Sequence, residues 1–147
     1  MFFKKISLVT GGFDPIHSGH ISYFKEAKKM TNYLIVGLNS DDWLKRKKGN
    51  FFLPWKERAE ILNNINFVDE VIDFNDQDNT AIDAIEKCLC IYDKVVFANG
   101  GDRQSGNVPE YDFFKKNNNV EFKYGIGGNK KLNSSSWILD EFINKNI

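Results

Sequence analysis

Gly11-Gly12-Phe13-Asp14-Pro15-Ile16-His17-Ser18-Gly19-His20 lies between an apolar run at residues 6–10 and a segment, 18–30, in which Ile21, Phe24 and Ala27 recur at helical spacing. Strand, glycine turn, paired histidines and helix start thus fall within one supersecondary unit. A helix N-terminus offers unpaired N–H groups and the positive end of a dipole, so anions settle there. Ser18 is the expected N-cap, since its hydroxyl can accept from the first turn. Two imidazoles at such an opening suit phosphate oxygens, and the stretch reads as a phosphate-handling centre.

The rest of the chain repeats the alternation. Residues 33–38 read as a second strand, followed by the capping oxygens of Asn39-Ser40-Asp41-Asp42 and a cationic cluster at 45–48. Pro54 reads as the first residue of a helix, where its missing N–H costs nothing. Strands are expected at 68–74, 94–98 and 120–124, and helices at 80–89, 108–116 and 137–144, the last opened by Ser134-Ser135-Ser136. Short continuous apolar strands alternating with helices imply an α/β fold with a parallel sheet covered on both faces. Ligands in such sheets sit at the carboxyl ends of the strands. The stretches that follow strands, 11–20, 39–48, 99–103 and 125–136, are Gly-rich, cationic or hydroxyl-rich, which points to one composite site.

The chain's 147 residues suit one domain, 1–147. Lys plus Arg equals Asp plus Glu at 20 each, so nothing in the overall charge argues for a nucleic acid or a membrane surface as partner. The apolar stretch after Met1-Phe2-Phe3-Lys4-Lys5 is too short for a signal peptide or a membrane span, and the expected location is the cytoplasm. Cys88 and Cys90, two apart in a helical segment, fall on different faces and are expected to be free thiols.

Gly11-Gly12 lacks the third glycine of the dinucleotide fingerprint, Asp14-Pro15 interrupts the helix start, and no Walker A sequence is present. Hydride transfer and P-loop chemistry are therefore disfavoured. His17 and His20 have three readings: a metal pair, which needs a third ligand that no nearby Cys or Glu offers; structural residues filling a turn; or phosphate ligands at a helix opening. The third best fits the surrounding sequence, with donors aimed where charge builds up in phosphoryl or nucleotidyl transfer.

Gly12-Phe13-Asp14-Pro15-Ile16-His17-Ser18-Gly19-His20 resembles the G-x-F-D-x-x-H-x-G-H signature of the cytidylyltransferase-like nucleotidyltransferases, a family that includes glycerol-3-phosphate cytidylyltransferases and heptose 1-phosphate adenylyltransferases. Residues 36–41, the basic loop Lys45-Arg46-Lys47-Lys48-Gly49, Glu57-Arg58, Gly100-Gly101-Asp102 and Ser134-Ser135-Ser136 also resemble segments of that family, so the resemblance covers nearly the whole chain. It implies a single-domain Rossmann-like fold with a five-stranded parallel sheet. It implies transfer of CMP or AMP from a nucleoside triphosphate to a small phosphomonoester of the glycerol 3-phosphate or sugar 1-phosphate type, with release of pyrophosphate. His17, His20 and Lys48 take the catalytic roles under this reading. Thr10, Gly11, Gly12, Phe13, Asp14, Gly100, Asp102, Ser134, Ser135 and Ser136 bind the nucleotide. Lys45, Arg46, Arg58 and Lys130 bind substrate phosphate, Lys130 standing in a segment where the family often has an arginine. Mg²⁺ accompanying the triphosphate and a homodimer are further implications. A non-catalytic nucleotide-binding module, or an FAD synthetase or other adenylyltransferase of the same superfamily, are the alternatives.

Overall fold

The computed structural model describes residues 3–101, 105–127 and 134–146. Strands β1 (Lys5–Gly11), β2 (Leu34–Leu38), β3 (Glu70–Ile72), β4 (Lys94–Gly100) and β5 (Val120–Ile126) alternate with helices α1 (Ser18–Thr31), α2 (Asp41–Lys48), α3 (Trp55–Asn63), α4 (Ile82–Leu89), α5 (Pro109–Phe114) and α6 (Ser135–Asn146). The strands form one five-stranded sheet in the order β3-β2-β1-β4-β5, with every pairing parallel. The expected α/β, Rossmann-like architecture is the one observed.

Side-chain alternation along the strands feeds two apolar layers. Ile6, Leu8, Ile35, Val95 and Phe97 pack on one face with Ala84, Ile85 and Cys88 of α4 and Phe114 of α5. Val9, Leu34, Val36, Leu38 and Ala98 pack on the other with Phe24 and Ala27 of α1 and Ala59 and Leu62 of α3. Burying each large side chain of this kind contributes about 1.5–3 kcal/mol, so the central strands, covered on both faces, form the rigid part of the molecule. Ser7 is the buried polar residue of β1. It stays buried because its hydroxyl donates to Ala27 O at 2.7 Å.

The elements depart from the sequence reading where tertiary contacts decide. The third strand is three residues long rather than 68–74, because β3 is an edge strand paired to β2 alone and Val68 and Phe74 serve the core outside the ladder. The cationic stretch expected as a loop is the last turn of α2, closed by Gly49 at φ 89°. Four cations there complement the negative end of the helix dipole. Pro54 is the N-cap of α3 rather than its first residue, so the helix starts one residue later than expected. Asp76, read as part of a polar turn, is buried and takes hydrogen bonds from Asn39 Nδ2, Ser40 N and Ser40 Oγ, fixing the turn from β2 into α2. Cys88 is buried and Cys90 exposed, both as free thiols. Among the described residues no helix is long and apolar enough to cross a membrane.

Candidate active site

From β1 the chain runs outward through β2 to β3, then returns to lay β4 against the other side of β1. The carboxyl ends of β1 and β4 therefore flank the switch in strand order, where an open α/β sheet leaves a crevice. A cavity of about 350 Å³ opens there. Thr10, Gly11, Gly12 and Phe13 line it from the end of β1, His20 and Tyr23 from α1, and Asn99 and Gly100 from the end of β4. Lys48 enters from α2 and Ser135 from α6.

The two histidines cap α1. Gly19 N donates to His17 Nδ1 at 3.0 Å, and His17 N donates to His20 Nδ1 at 3.2 Å. His17, not Ser18, is the N-cap, because the imidazole reaches a first-turn N–H that a serine hydroxyl was expected to take. Each Nδ1 must offer a lone pair to its backbone donor, so the ring hydrogen of each lies on Nε2. The rings stack at 3.8 Å, and Phe13 meets His20 edge-on at 4.9 Å and Phe24 at 5.0 Å. Phe13 holds a left-handed backbone, φ 48°, which costs on the order of 1 kcal/mol and persists because its ring is locked between those partners. Burial, then the neighbouring His17 and Lys48, push the His20 pKa down to about 3. His20 is thus a neutral Nε2–H donor over the physiological range.

The glycines are set by close approach. A Cβ on Gly12 would lie 2.6 Å from Leu44 Cδ2, and one on Gly11 2.9 Å from the Phe13 ring. The missing side chains let α2 and Phe13 close onto the turn and leave its backbone against the cavity.

The four cations of α2 do not act alike, because helical periodicity sends them in different directions. Lys45 sits 5.5 Å over Phe51 and Lys47 5.2 Å over Trp43. Arg46 donates to Asp76 O at 2.8 Å and to Asn79 Oδ1 from two nitrogens. Of the four, Lys48 alone lines the cavity, its Nζ 3.4 Å from Asp14 O. Burial lowers its pKa; the charge of Asp14 opposes that, and those of Arg58 and Lys47 add to it.

Two residues assigned above to ligand binding are placed elsewhere. Arg58, expected to contact phosphate, is 1 % exposed. It spends its guanidinium on Leu53 O, Gly12 O and Asn39 O at 2.8–2.9 Å and on Asp41 Oδ1 at 2.6 Å. Asp14, expected to contact nucleotide, is buried with its carboxylate on Phe52 N at 2.5 Å and Leu53 N at 2.8 Å. Both build the turn rather than face the cavity. Ser134, just ahead of α6, accepts from Trp137 N at 3.0 Å, Ser135 Oγ donates to Pro15 O at 2.7 Å, and Ser136 is exposed and does not line the cavity. Asp102 and Lys130 lie outside the described residues.

Sequence reasoning did not single out Trp43, Phe74, Asn79, Thr80 and Glu110, which also line the cavity. None of these carried a usable local signal: even Glu110 is one of two acidic residues in a short helix, with nothing in the sequence to set it apart from Asp112. Among the described residues no group of three or more His, Cys, Asp and Glu could hold a metal ion.

The profile of the cytidylyltransferase-like family matches residues 8–124. The bifunctional protein HldE of Helicobacter pylori strain HPAG1 is 35% identical over 124 residues, covering 83% of this chain and 26% of that protein. Its counterpart in Campylobacter concisus is 32% identical over the same length, covering 83% of this chain and 25% of that one. The chain thus spans about a quarter of the length of these curated relatives. Among solved structures, a lipopolysaccharide core biosynthesis protein from Thermoplasma volcanium GSS1 superposes with a TM-score of 0.63 at 23% identity, over 84% of this chain and 96% of that one. With most of the chain matched and the histidine turn, β1–β4 crevice and α2 lysine converging on one cavity, this protein belongs to the cytidylyltransferase-like family.

Proposed function

We propose that the protein is a nucleotidyltransferase that moves a CMP or AMP group from a nucleoside triphosphate to a small phosphomonoester, of the glycerol 3-phosphate or sugar 1-phosphate type, and releases pyrophosphate. One observation carries the reading: His20, Lys48, Ser135 and the Gly11-Gly12 backbone line a single cavity at the switch in strand order. A neutral imidazole donor, a cation, the start of a helix and close backbone are groups that hold a polyphosphate.

The chemistry follows from those groups. An oxygen of the acceptor phosphate attacks the α-phosphorus, a new P–O bond forms, and the bond to the bridging oxygen of pyrophosphate breaks. The nucleophile is already an anion, so no protein base is needed. Lys48 holds the acceptor phosphate against the α-phosphate, and His20, with His17 stacked on it, donates to the oxygens on which charge accumulates. One such fixed donor is worth about 2.7–4 kcal/mol of barrier. The Ser134–Ser135 start of α6 takes the departing phosphates. Mg²⁺ enters the reading as the counter-ion carried on the triphosphate oxygens; the described residues supply no carboxylate cluster of their own for it. A homodimer belongs to the same reading. Exposed Phe52 and Phe113, with Trp137 and Phe142 on α6, offer apolar contact area, and light scattering at micromolar concentration tests it.

The decisive experiment is a pyrophosphate-release screen of four nucleoside triphosphates against a panel of phosphomonoesters, run with wild type and His20→Ala. Wild type is expected to turn over with CTP or ATP. The variant is expected to lose at least ~100-fold while its Tm falls by only a few degrees, since one capping bond goes with the ring. Binding of CTP or ATP without pyrophosphate release from any pair would instead establish a non-catalytic nucleotide-binding module.

A further inference from the structure

Glu110 is 3 % exposed, yet it forms part of the cavity wall. Its Oε2 accepts from Ala81 N at 2.7 Å, just ahead of α4, and its Oε1 has no hydrogen-bond partner among the described residues. Buried polar atoms are almost always paired, so an unpaired carboxylate oxygen at a cavity marks a place where a ligand donor belongs. The hydroxyl of Tyr124 on β5 is likewise buried with no partner among the described residues. Its pKa is raised by burial first and then by Tyr111 and Glu110, so the carboxylate lies within electrostatic reach of it.

The chemistry of this wall is opposite to that of the histidine side. A phosphate only accepts hydrogen bonds and is repelled by a carboxylate, whereas an alcohol donates to one oxygen and accepts from another group at the same time. Position selects which ligand brings the alcohol. Phe74, Asn79, Thr80 and Ala81 carry the cavity wall to Glu110. Asn79 is clamped by Arg46, two residues before Lys48 on the same helix. Glu110 lines the cavity that Lys48 also lines, joined through Ala81 to the α4 face of the sheet, whereas the histidines belong to the α1 face.

We infer that Glu110 is a specificity-determining residue: it accepts a hydrogen bond from a hydroxyl on the uncharged, polyhydroxylated body of the acceptor whose phosphate Lys48 holds. The inference rests on the nucleotidyl-transfer reading above.

Its test is steady-state kinetics of wild type, Glu110→Gln and Glu110→Ala with glycerol 3-phosphate, ribose 5-phosphate, mannose 1-phosphate and propyl phosphate as acceptors. The glutamine keeps an oxygen for Ala81 N but turns the free acceptor into a donor. Its kcat/KM for the best hydroxylated probe is expected to fall roughly 10- to 100-fold, with less than about 3-fold change for propyl phosphate and in the KM of the nucleotide. A rise in nucleotide KM with acceptor preference intact would overturn the inference in favour of reading the nucleoside. A parallel loss for hydroxylated and bare phosphates would reduce Glu110 to a structural role. Wild-type activity left unchanged by either substitution sinks the Glu110 inference alone, whereas wild type inactive with every pair sinks the transfer reading beneath it.

Discussion

His20 is held neutral by the architecture of the turn, and that has a measurable cost in acid. Its Nδ1 accepts the His17 N–H, so a second ring proton would face a donor. Burial, His17 and Lys48 all oppose the charge, and the pKa falls to about 3. An unfolded histidine titrates near ~6.5. The folded value is the depressed one, so as pH drops the unfolded chain takes the proton first. The stabilisation is intact above ~6.5 and drains at about 1.4 kcal/mol per pH unit until the folded group itself titrates. Between pH 7.5 and 5.5 the drain from this one group is about 1.4 kcal/mol, a sizeable part of a typical domain stability of roughly 5–15 kcal/mol. Guanidinium unfolding of wild type and His20→Asn at both pH values isolates it, since asparagine offers an oxygen to His17 N and every other titrating group is common to both. The stability gap between the two proteins is expected to narrow by about 1.4 kcal/mol at the lower pH. A gap that does not change, or a His20 ring seen by NMR to titrate near ~6.5, would refute the argument.

Arg58→Leu leaves the carbonyls of Leu53, Gly12 and Asn39 without their donor, and a loss of about 3–5 kcal/mol in guanidinium unfolding is expected. Arg58→Lys should recover less than half, because one ammonium cannot span the separated acceptors; a loss under about 1 kcal/mol would contradict this role. Lys48→Ala separates the opposite way. It removes a cation held against desolvation, so Tm is expected to stay level or rise slightly while kcat/KM falls by at least ~100-fold, and an active variant would remove Lys48 from the chemistry.

How much of this was legible depended on whether a feature is local. The β1–α1 unit was readable because strand, glycines and helix face are written in consecutive residues, and the alternation fixed a parallel sheet whose strand ends gather the site. Edge effects were not readable. Residues 68–74 look strand-like throughout, but only Glu70–Ile72 find a partner, since among the described residues β3 has β2 on one side and no strand on the other. Nor could composition tell which of Lys45, Arg46, Lys47 and Lys48 faces the ligand. That depends on those residues being helical, which Ser40 decides by capping Trp43 N with its hydroxyl while Asp76, thirty-six residues away, holds the serine. Glu110 was invisible for the same reason: its meaning comes from Ala81 and from the cavity, neither of which is near it in sequence.

The motif itself divides into residues that meet the ligand and residues that make meeting it possible. Within Gly12-Phe13-Asp14-Pro15-Ile16-His17-Ser18-Gly19-His20, Asp14 turns its carboxylate away to the backbone of Phe52 and Leu53, drawing the segment after α2 under the turn. Arg58 ties the same segment to Gly12 and to Asn39 at the end of β2, and Gly12 lets Leu44 close on it. These contacts fix α2 relative to α1, and therefore Lys48 relative to His20, before any ligand arrives. Electrostatic catalysis requires this: donors already in place cost no reorganisation when charge develops. A residue can thus be essential to the chemistry while touching none of it. Loss of Asp14 or Arg58 should appear first in stability and in the KM of the acceptor, whereas loss of His20 should appear in kcat.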